Sequence, residues 1–281
     1  MTFFYQSMNH VVLAIVITTF FLLLFSIRTN PFFAAGAFVQ EMFTSRKYLL
    51  HFTAMIAILF SNKMELWLEQ HMHSRADFTD QIYALEGNFV ASIQTWFRND
   101  ALTQASTFFY VVVFTSVMIA STLFYTYTKQ YKLFYAVCYA LIFNYLIAIP
   151  FYLFFPVREV WSFHPNVSML IHDLFPTFEQ DYRPLSGIDN CFPSLHTSIS
   201  VTMAVIAMRS NNRFWRVFTA CSAVFIIFSI FYLGIHWLTD MCAGMLLGLF
   251  AARTALRIAE GKPLLVTNLL SGLLRSRQIG K

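Results

Sequence analysis

His236 and Asp240 stand four residues apart in His236-Trp237-Leu238-Thr239-Asp240, and forty residues before His236 lies His196, within Cys191-Phe192-Pro193-Ser194-Leu195-His196. On a helix the four-residue spacing puts imidazole and carboxylate on one face. That suits an Asp that fixes the His tautomer and stabilises its positive charge, leaving the other ring nitrogen free to react. An Asp within an apolar run costs roughly 2.5–3.5 kcal/mol on insertion scales, so a function is expected of it. The competing reading is a structural His–Asp pair joining two helices. At the second stretch, Pro193 fits the first turn of a helix, whose free N–H groups and dipole make an anion site. Ser194 adds a hydroxyl there and His196 a proton donor. Read alone, this stretch is equally a capped helix with an interfacial His. Together, the two stretches fit phosphoryl transfer through a phosphohistidine: one His attacks phosphorus while the other protonates the leaving oxygen. Arg158 and Arg183, in the segment feeding His196, are the cations expected on the phosphate oxygens, which the guanidinium fork matches. For each, a solvated loop charge is the plainer alternative. Arg158, just after an apolar run, is the better anchored of the two.

The elements that must position these residues are apolar. The 281 residues are 58% hydrophobic and 12% charged, with 33 Phe, against roughly 25% charged for a soluble domain. Apolar runs near the roughly 20 residues needed to cross a bilayer recur throughout. The expected fold is therefore an all-α, polytopic transmembrane helix bundle of six to seven spans, at about 11–27, 47–63, 106–128, 132–155, 193–209, 214–235 and 237–257. Extended alternation of the kind a membrane barrel requires is absent. The first run lacks a basic flank and a small-x-small cleavage site, so it reads as a retained span.

Seven spans place 14 of the 19 Lys/Arg on one side, with only Glu41 and Glu260 of the 14 acids. The positive-inside rule makes that side and the C-terminus cytoplasmic. Both histidine stretches then face the extracytoplasmic side, the plasma membrane being the expected location. The net +5 is thus a topology signal, and no nucleic-acid partner is implied. Residues 1–105 read as N-terminal spans plus an outer-face segment, 106–257 as a catalytic core and 258–281 as a basic tail. Within 64–105, Ile82, Leu85, Phe89, Ile93, Trp96 and Phe97 recur at three and four residues, the pattern of an amphipathic interfacial helix or of one packed over the bundle. Residues 156–190 form a long loop, expected to be a lid or binding element. Three of the four cysteines lie in apolar runs, so no disulfide framework is expected. No phosphate-binding glycine loop or clustered metal motif occurs, and neither cofactor nor metal is expected. The pattern specifies no oligomeric state.

These residues resemble the type 2 phosphatidic acid phosphatase superfamily of membrane lipid phosphoesterases, over about residues 145–250. Its second motif, Pro-Ser-Gly-His, is similar to Pro193-Ser194-Leu195-His196. Its third, Ser-Arg, five residues, then His-x3-Asp, is similar to Ser229 through His236 to Asp240. The resemblance implies His236 as nucleophile, Asp240 as its orienting partner, His196 as general acid, and Ser194 with Leu195 at the phosphate. Leu195 replaces the motif Gly and Ile230 the motif Arg. In the first motif, Lys, six residues, then Arg-Pro, Arg183-Pro184 has Pro176 in place of the Lys, while Arg158 has Phe151 in place of the Lys and Glu159 in place of the Pro. These departures lean towards the inositol phosphorylceramide synthase-like branch, related to the sphingomyelin synthases. The expected activity is hydrolysis of a lipid phosphate or diphosphate at the outer leaflet, since water needs no second binding site. Transfer of a phosphoryl headgroup to a lipid alcohol is the alternative. A transporter with a His/Asp proton relay is the rival from another class, but it would distribute ionisable groups over several depths.

Overall fold

The computed structural model describes residues 7–72, 76–183 and 186–263. Arg75, Pro184, Arg275, Arg277 and Lys281, and with them most of the basic tail, lie outside the described residues. The described residues are mainly helical: α1 (Met8–Ile27), α2 (Phe32–Thr44), α3 (Arg46–His71), α4 (Thr79–Glu86), α5 (Phe89–Phe97), α6 (Asp100–Thr107), α7 (Phe114–Tyr127), α8 (Tyr131–Phe154), α9 (Val160–Phe163), α10 (Phe178–Asp181), α11 (Leu195–Ala207), α12 (Arg213–Tyr232) and α13 (Leu238–Ala259). A π-helical stretch, Phe108–Val113, joins α6 to α7. Among the described residues extended pairing is limited to one isolated bridge, Val157 with Asn190.

Among the described residues six stretches are long and apolar enough to cross a membrane: Met8–Ile27, Arg46–Glu69, Asp100–Tyr127, Tyr131–Phe154, Arg213–Tyr232 and Leu238–Ala259. The protein is an integral membrane helix bundle. The expected span at 193–209 is instead the 13-residue α11, which at 1.5 Å per residue reaches about 20 Å, short of the roughly 30 Å hydrocarbon core. Its start explains the difference. Ser194, not Pro193, sets the boundary, because its side-chain oxygen accepts the Thr197 N–H (3.3 Å) and holds Ser194 in an extended conformation as the N-cap. Pro193 therefore precedes the helix, joined to Phe192 by a cis peptide.

The interfacial helix expected in 64–105 is also divided. Gly87 (φ 55°) ends α4, and Asn99 in an extended conformation caps α6 by accepting the Leu102 N–H (2.9 Å). The apolar residues consequently diverge: Ile82 is buried, Phe89 and Phe97 meet Phe231 and Phe228 of α12, and Leu85 and Trp96 point outward. Between α1 and α3 lies a further apolar helix that the spacing does not predict. It is α2, whose Phe32, Phe33 and Phe43 are exposed.

Two large apolar clusters share the bundle, beside a small one of Ala148, Tyr152 and Leu247. One, around Tyr48, Phe124, Phe134 and Trp215, fills the half away from the histidines; the other, around Tyr110, Ile171, Phe175, Ile230 and Trp237, lies around them. Between them α11 is gripped by α13 and α8. A Cβ on Gly244 would come within 2.5 Å of the Ser194 carbonyl oxygen, and one on Gly248 would overlap that of Ser198. The small-xxx-small spacing is what permits this approach. Asn144 of α8 completes the seam, accepting from Ser198 Oγ and donating to Thr202 Oγ1 (3.2 Å), while Thr202 donates to the Gly248 carbonyl (3.2 Å).

Forcing side chains into such a contact costs about 1–3 kcal/mol. Gly248→Val should therefore lower the unfolding midpoint in detergent by several degrees and reduce activity. Gly36→Val, whose Cβ meets nothing within 4 Å and which improves helix propensity, should not. Equal midpoints for the two variants, measured by intrinsic fluorescence, would refute this packing role.

Candidate active site

The first residues of α11 and α13 lie side by side because Ser194 donates its backbone N–H to the Asp240 carbonyl oxygen (3.1 Å) and Gly244 lets the helices meet. This places His196 and His236 on one cavity of about 310 Å3, with ring centroids 6.4 Å apart. His236 sits in the turn between α12 and α13. Its Nδ1 meets Asp240 Oδ2 at 3.3 Å, and the same oxygen accepts the Trp237 N–H at 2.9 Å. Asp240 thus closes the first turn of its own helix while steering the imidazole. Both side chains are almost wholly buried.

His196 is held from the opposite wall. Its ring stacks on Tyr110 (centroids 3.8 Å, planes 15° apart) and lies against Phe114 (4.4 Å). Both partners come from the π-helical stretch and the residue after it, where the wider turn re-aims side chains; such turns recur at functional sites. His196 Nε2 is buried and has no hydrogen-bond partner among the described residues. Tyr145, Tyr152 and Tyr182 add phenol rings to the wall, and Met8, Val11 and Ile15 of α1 form its apolar side. Burial and the neighbouring Tyr145 push the Tyr182 phenol up to about 12, so at neutral pH it is a neutral donor.

The remaining expected site residues are distributed unequally. Leu195 lines the cavity. Ser194 is fully buried and its hydroxyl caps α11. Arg183 lies behind the wall. Nη1 and Nη2 bond Glu159 Oε1 and Oε2 at 2.7 and 2.9 Å, Nε bonds Glu179 at 2.9 Å, and Nη1 also reaches the Gly187 carbonyl (2.9 Å). Burial alone would weaken its hold on the proton, but the hydrogen bonds it donates to Glu179 and Glu159 hold the guanidinium above its ordinary value. Arg158 turns away. Its Nε pairs with Asp77 at 2.9 Å and its guanidinium lies over Phe163. Only its backbone serves the site directly, its carbonyl accepting the Trp237 indole N–H at 2.9 Å. Among the described residues that line the cavity there is no Lys or Arg, and Glu159 is its carboxylate.

The segment 156–190 is a packed cap. Ile171, Phe175 and Phe178 are buried in it, and Val160 and Trp161 donate N–H groups to the carbonyls of Ile235 and Gly234 (3.0 and 2.9 Å). Sequence spacing left Tyr110, Phe114, Glu159 and Cys191 unmarked, because each reaches the site through tertiary packing. The rare π turn that delivers Tyr110 has no residue signature in Phe108–Val113. Cys191, His236 and Asp240 offer ligand atoms within 4.8 Å of one another, a donor set compatible with a soft divalent ion. Burial pushes the Cys191 thiol well above its ordinary range, however, and its sulfur is directed at the Ile235 carbonyl oxygen (3.6 Å). As it stands the group is a neutral thiol beside a hydrogen-bonded His–Asp pair.

Comparison with curated protein sequences and with solved structures returned no match. The family model of the PAP2 superfamily matches residues 103–263, from the middle of α6 to just beyond α13, a span that contains Tyr110, His196, His236 and Asp240. Since that match covers more than half of the 281 residues, the chain belongs to the PAP2 superfamily.

Proposed function

We propose that the protein is a lipid phosphoesterase that works through a phosphohistidine on His236, with its site on the extracytoplasmic side. The observation that carries this reading is the meeting of His196, His236 and Asp240 at one cavity, with centroids 6.4 Å apart and one imidazole tied to a carboxylate. His236, with Nδ1 engaged by Asp240, attacks phosphorus through Nε2. The phosphorus–oxygen bond to the leaving alcohol breaks, and His196 delivers a proton to that oxygen. Water, giving its proton to His196, then attacks phosphorus and the phosphorus–nitrogen bond breaks, which releases phosphate, frees the His236 imidazole and returns His196 to its protonated form. The apolar wall from α1 supports a lipid substrate. Sidedness is supported by Lys129, Lys132 and Arg209, which gather around a cavity at the far ends of the same helices.

A second reading has its own support. Classical phosphate sites use cations on all equatorial oxygens, whereas here the cavity wall carries four phenols and a carboxylate among its described residues. That balance suits a singly charged phosphodiester better than a dianionic monoester, and so favours headgroup transfer to an alcohol.

Three outcomes are expected. His236→Ala abolishes turnover and covalent labelling by a lipid bearing radiolabelled phosphorus, while His196→Ala slows adduct formation or release; near-normal turnover in folded His236→Ala protein excludes the nucleophile. Full activity persists in excess EDTA; loss that is restored by a divalent ion would instead make Cys191, His236 and Asp240 ligands. Arg183 is the cation that reaches phosphate, exchanging Glu159 for the substrate, so Arg183→Ala loses about 10- to 150-fold in rate and Arg183→Lys recovers part of it. Arg158→Ala, already facing Asp77, loses less. If Arg183→Ala, Arg158→Ala and the double variant all keep more than about half the rate, neither arginine binds phosphate.

A further inference from the structure

The turn that carries His236 is held at both ends by side chains from α4 and α5, which precede the residues matched by the family model. At one end, Leu238 and Thr239, the first two residues of α13, donate their N–H groups to Glu86 Oε2 and Oε1, both at 2.6 Å. These N–H groups have no partner within their own helix, and a carboxylate there also meets the positive end of the helix dipole. At the other end, Gln94 Nε2 donates to the carbonyl of Tyr232, the last residue of α12 (3.0 Å), and to that of Ser168 (2.7 Å), while its Oε1 accepts the Ser168 N–H (3.0 Å). Gln94 is buried, and Gly234 (φ 82°) leaves room for it: a Cβ there would come within 2.9 Å of Gln94 Nε2 and 2.6 Å of the Ser168 carbonyl oxygen. Between these two anchors lie Leu233 to Trp237, with Tyr83 of α4 edge-on to Trp237 (6.2 Å).

We infer that Glu86 and Gln94 are positioning residues for the nucleophile: they clamp the α12–α13 turn so that His236 meets Asp240 and the cavity in one orientation. The inference rests on His236 being the reacting group. Three considerations argue for positioning over generic stability. Glu86 is only partly buried and sits at the end of an eight-residue helix, so it contributes little to the bundle core. Its two bonds go to Leu238 and Thr239, the residues enclosed between Trp237 and Asp240, whose own capping bond involves the oxygen that meets His236. A carboxylate that bonds two adjacent N–H groups fixes the rotation of the first turn as well as its place.

The test uses the full-length protein in nanodiscs, comparing wild type with Glu86→Ala, Glu86→Gln, Gln94→Leu and the double variant Glu86→Ala/Gln94→Leu. The substrates are short-chain phosphatidic acid and a short-chain phosphatidylinositol, each carrying radiolabelled phosphorus. Steady-state kcat and KM are measured with the rate and amplitude of covalent labelling and with amide exchange across residues 233–240. Glu86→Ala should lower kcat and the labelling rate by about 10- to 100-fold with KM within about twofold and the labelling amplitude retained. Exchange should quicken in 233–240 and stay unchanged in α8. Glu86→Gln should recover part of the rate, because its amide oxygen still accepts one N–H. Unchanged kcat and exchange in Glu86→Ala and Gln94→Leu overturn the inference. So does a loss confined to labelling amplitude or shared by exchange throughout the bundle, which marks a purely stabilising role. Wild-type turnover without an adduct on His236 refutes the nucleophile assignment instead, and exchange in 233–240 still reads whether the clamp holds the turn.

Discussion

The close approach of α11 and α13 is the constraint on which the site depends. Neither histidine stretch makes a cavity alone; they do so because two glycines one turn apart remove the atoms that would hold the helices apart. Gly244 lies against the carbonyl of Ser194 and Gly248 against that of Ser198. In a bilayer no hydrophobic force drives apolar helices together, so close packing and interhelical hydrogen bonds must serve. The seam supplies both, with the Asn144–Ser198–Thr202 chain buried at its middle and the Ser194–Asp240 backbone bond at its outer end. A helix of only 13 residues suffices for α11 because its partners, not the lipid, surround it: its inward residues from Thr197 to Ala207 are largely buried.

The polar groups around the cavity are arranged so that charge is compensated behind the wall. Arg183 and Glu159 form a bidentate pair with side chains 13% and 7% exposed. Trp161 donates to the same carboxylate (2.5 Å), and Glu179 covers the open edge of the guanidinium. Such a pair gains from the low dielectric only because its remaining hydrogen-bonding capacity is filled. The cavity itself is faced by phenols, imidazoles, aliphatic groups and the Glu159 carboxylate that Arg183 pairs from behind.

The layer made by α4, α5 and the 156–190 segment joins the family core to the rest of the chain. Its backbone is tied to the α12–α13 turn by Val160, Trp161 and Leu170, which donate to the carbonyls of Ile235, Gly234 and Leu233. Its residues are polar and aromatic by turns, because they must satisfy the exposed ends of α12 and α13 while packing over an apolar bundle.

Composition and spacing determined much of this protein. Low charge and recurring apolar runs fixed a helical membrane bundle, and the four-residue step from His236 to Asp240 brought those side chains within reach of one another, although His236 lies in the turn before α13 and Asp240 meets it from the first turn of that helix. Pairing the two histidine stretches across forty residues was also legible, because the intervening apolar run returns the chain to the same end. Tertiary structure decided what depends on distant segments. Whether Arg158 or Arg183 lies behind the cavity turns on where Asp77 and Glu159 fall, and neither carboxylate is in helical register with its arginine. Ser194 caps a helix instead of facing the cavity because Thr197 offers it an N–H. Tyr110 reaches His196 through a π turn, and Glu86 reaches α13 from about 150 positions upstream. A sequence records local periodicity, whereas these contacts are set by how separately formed helices fill the space between them.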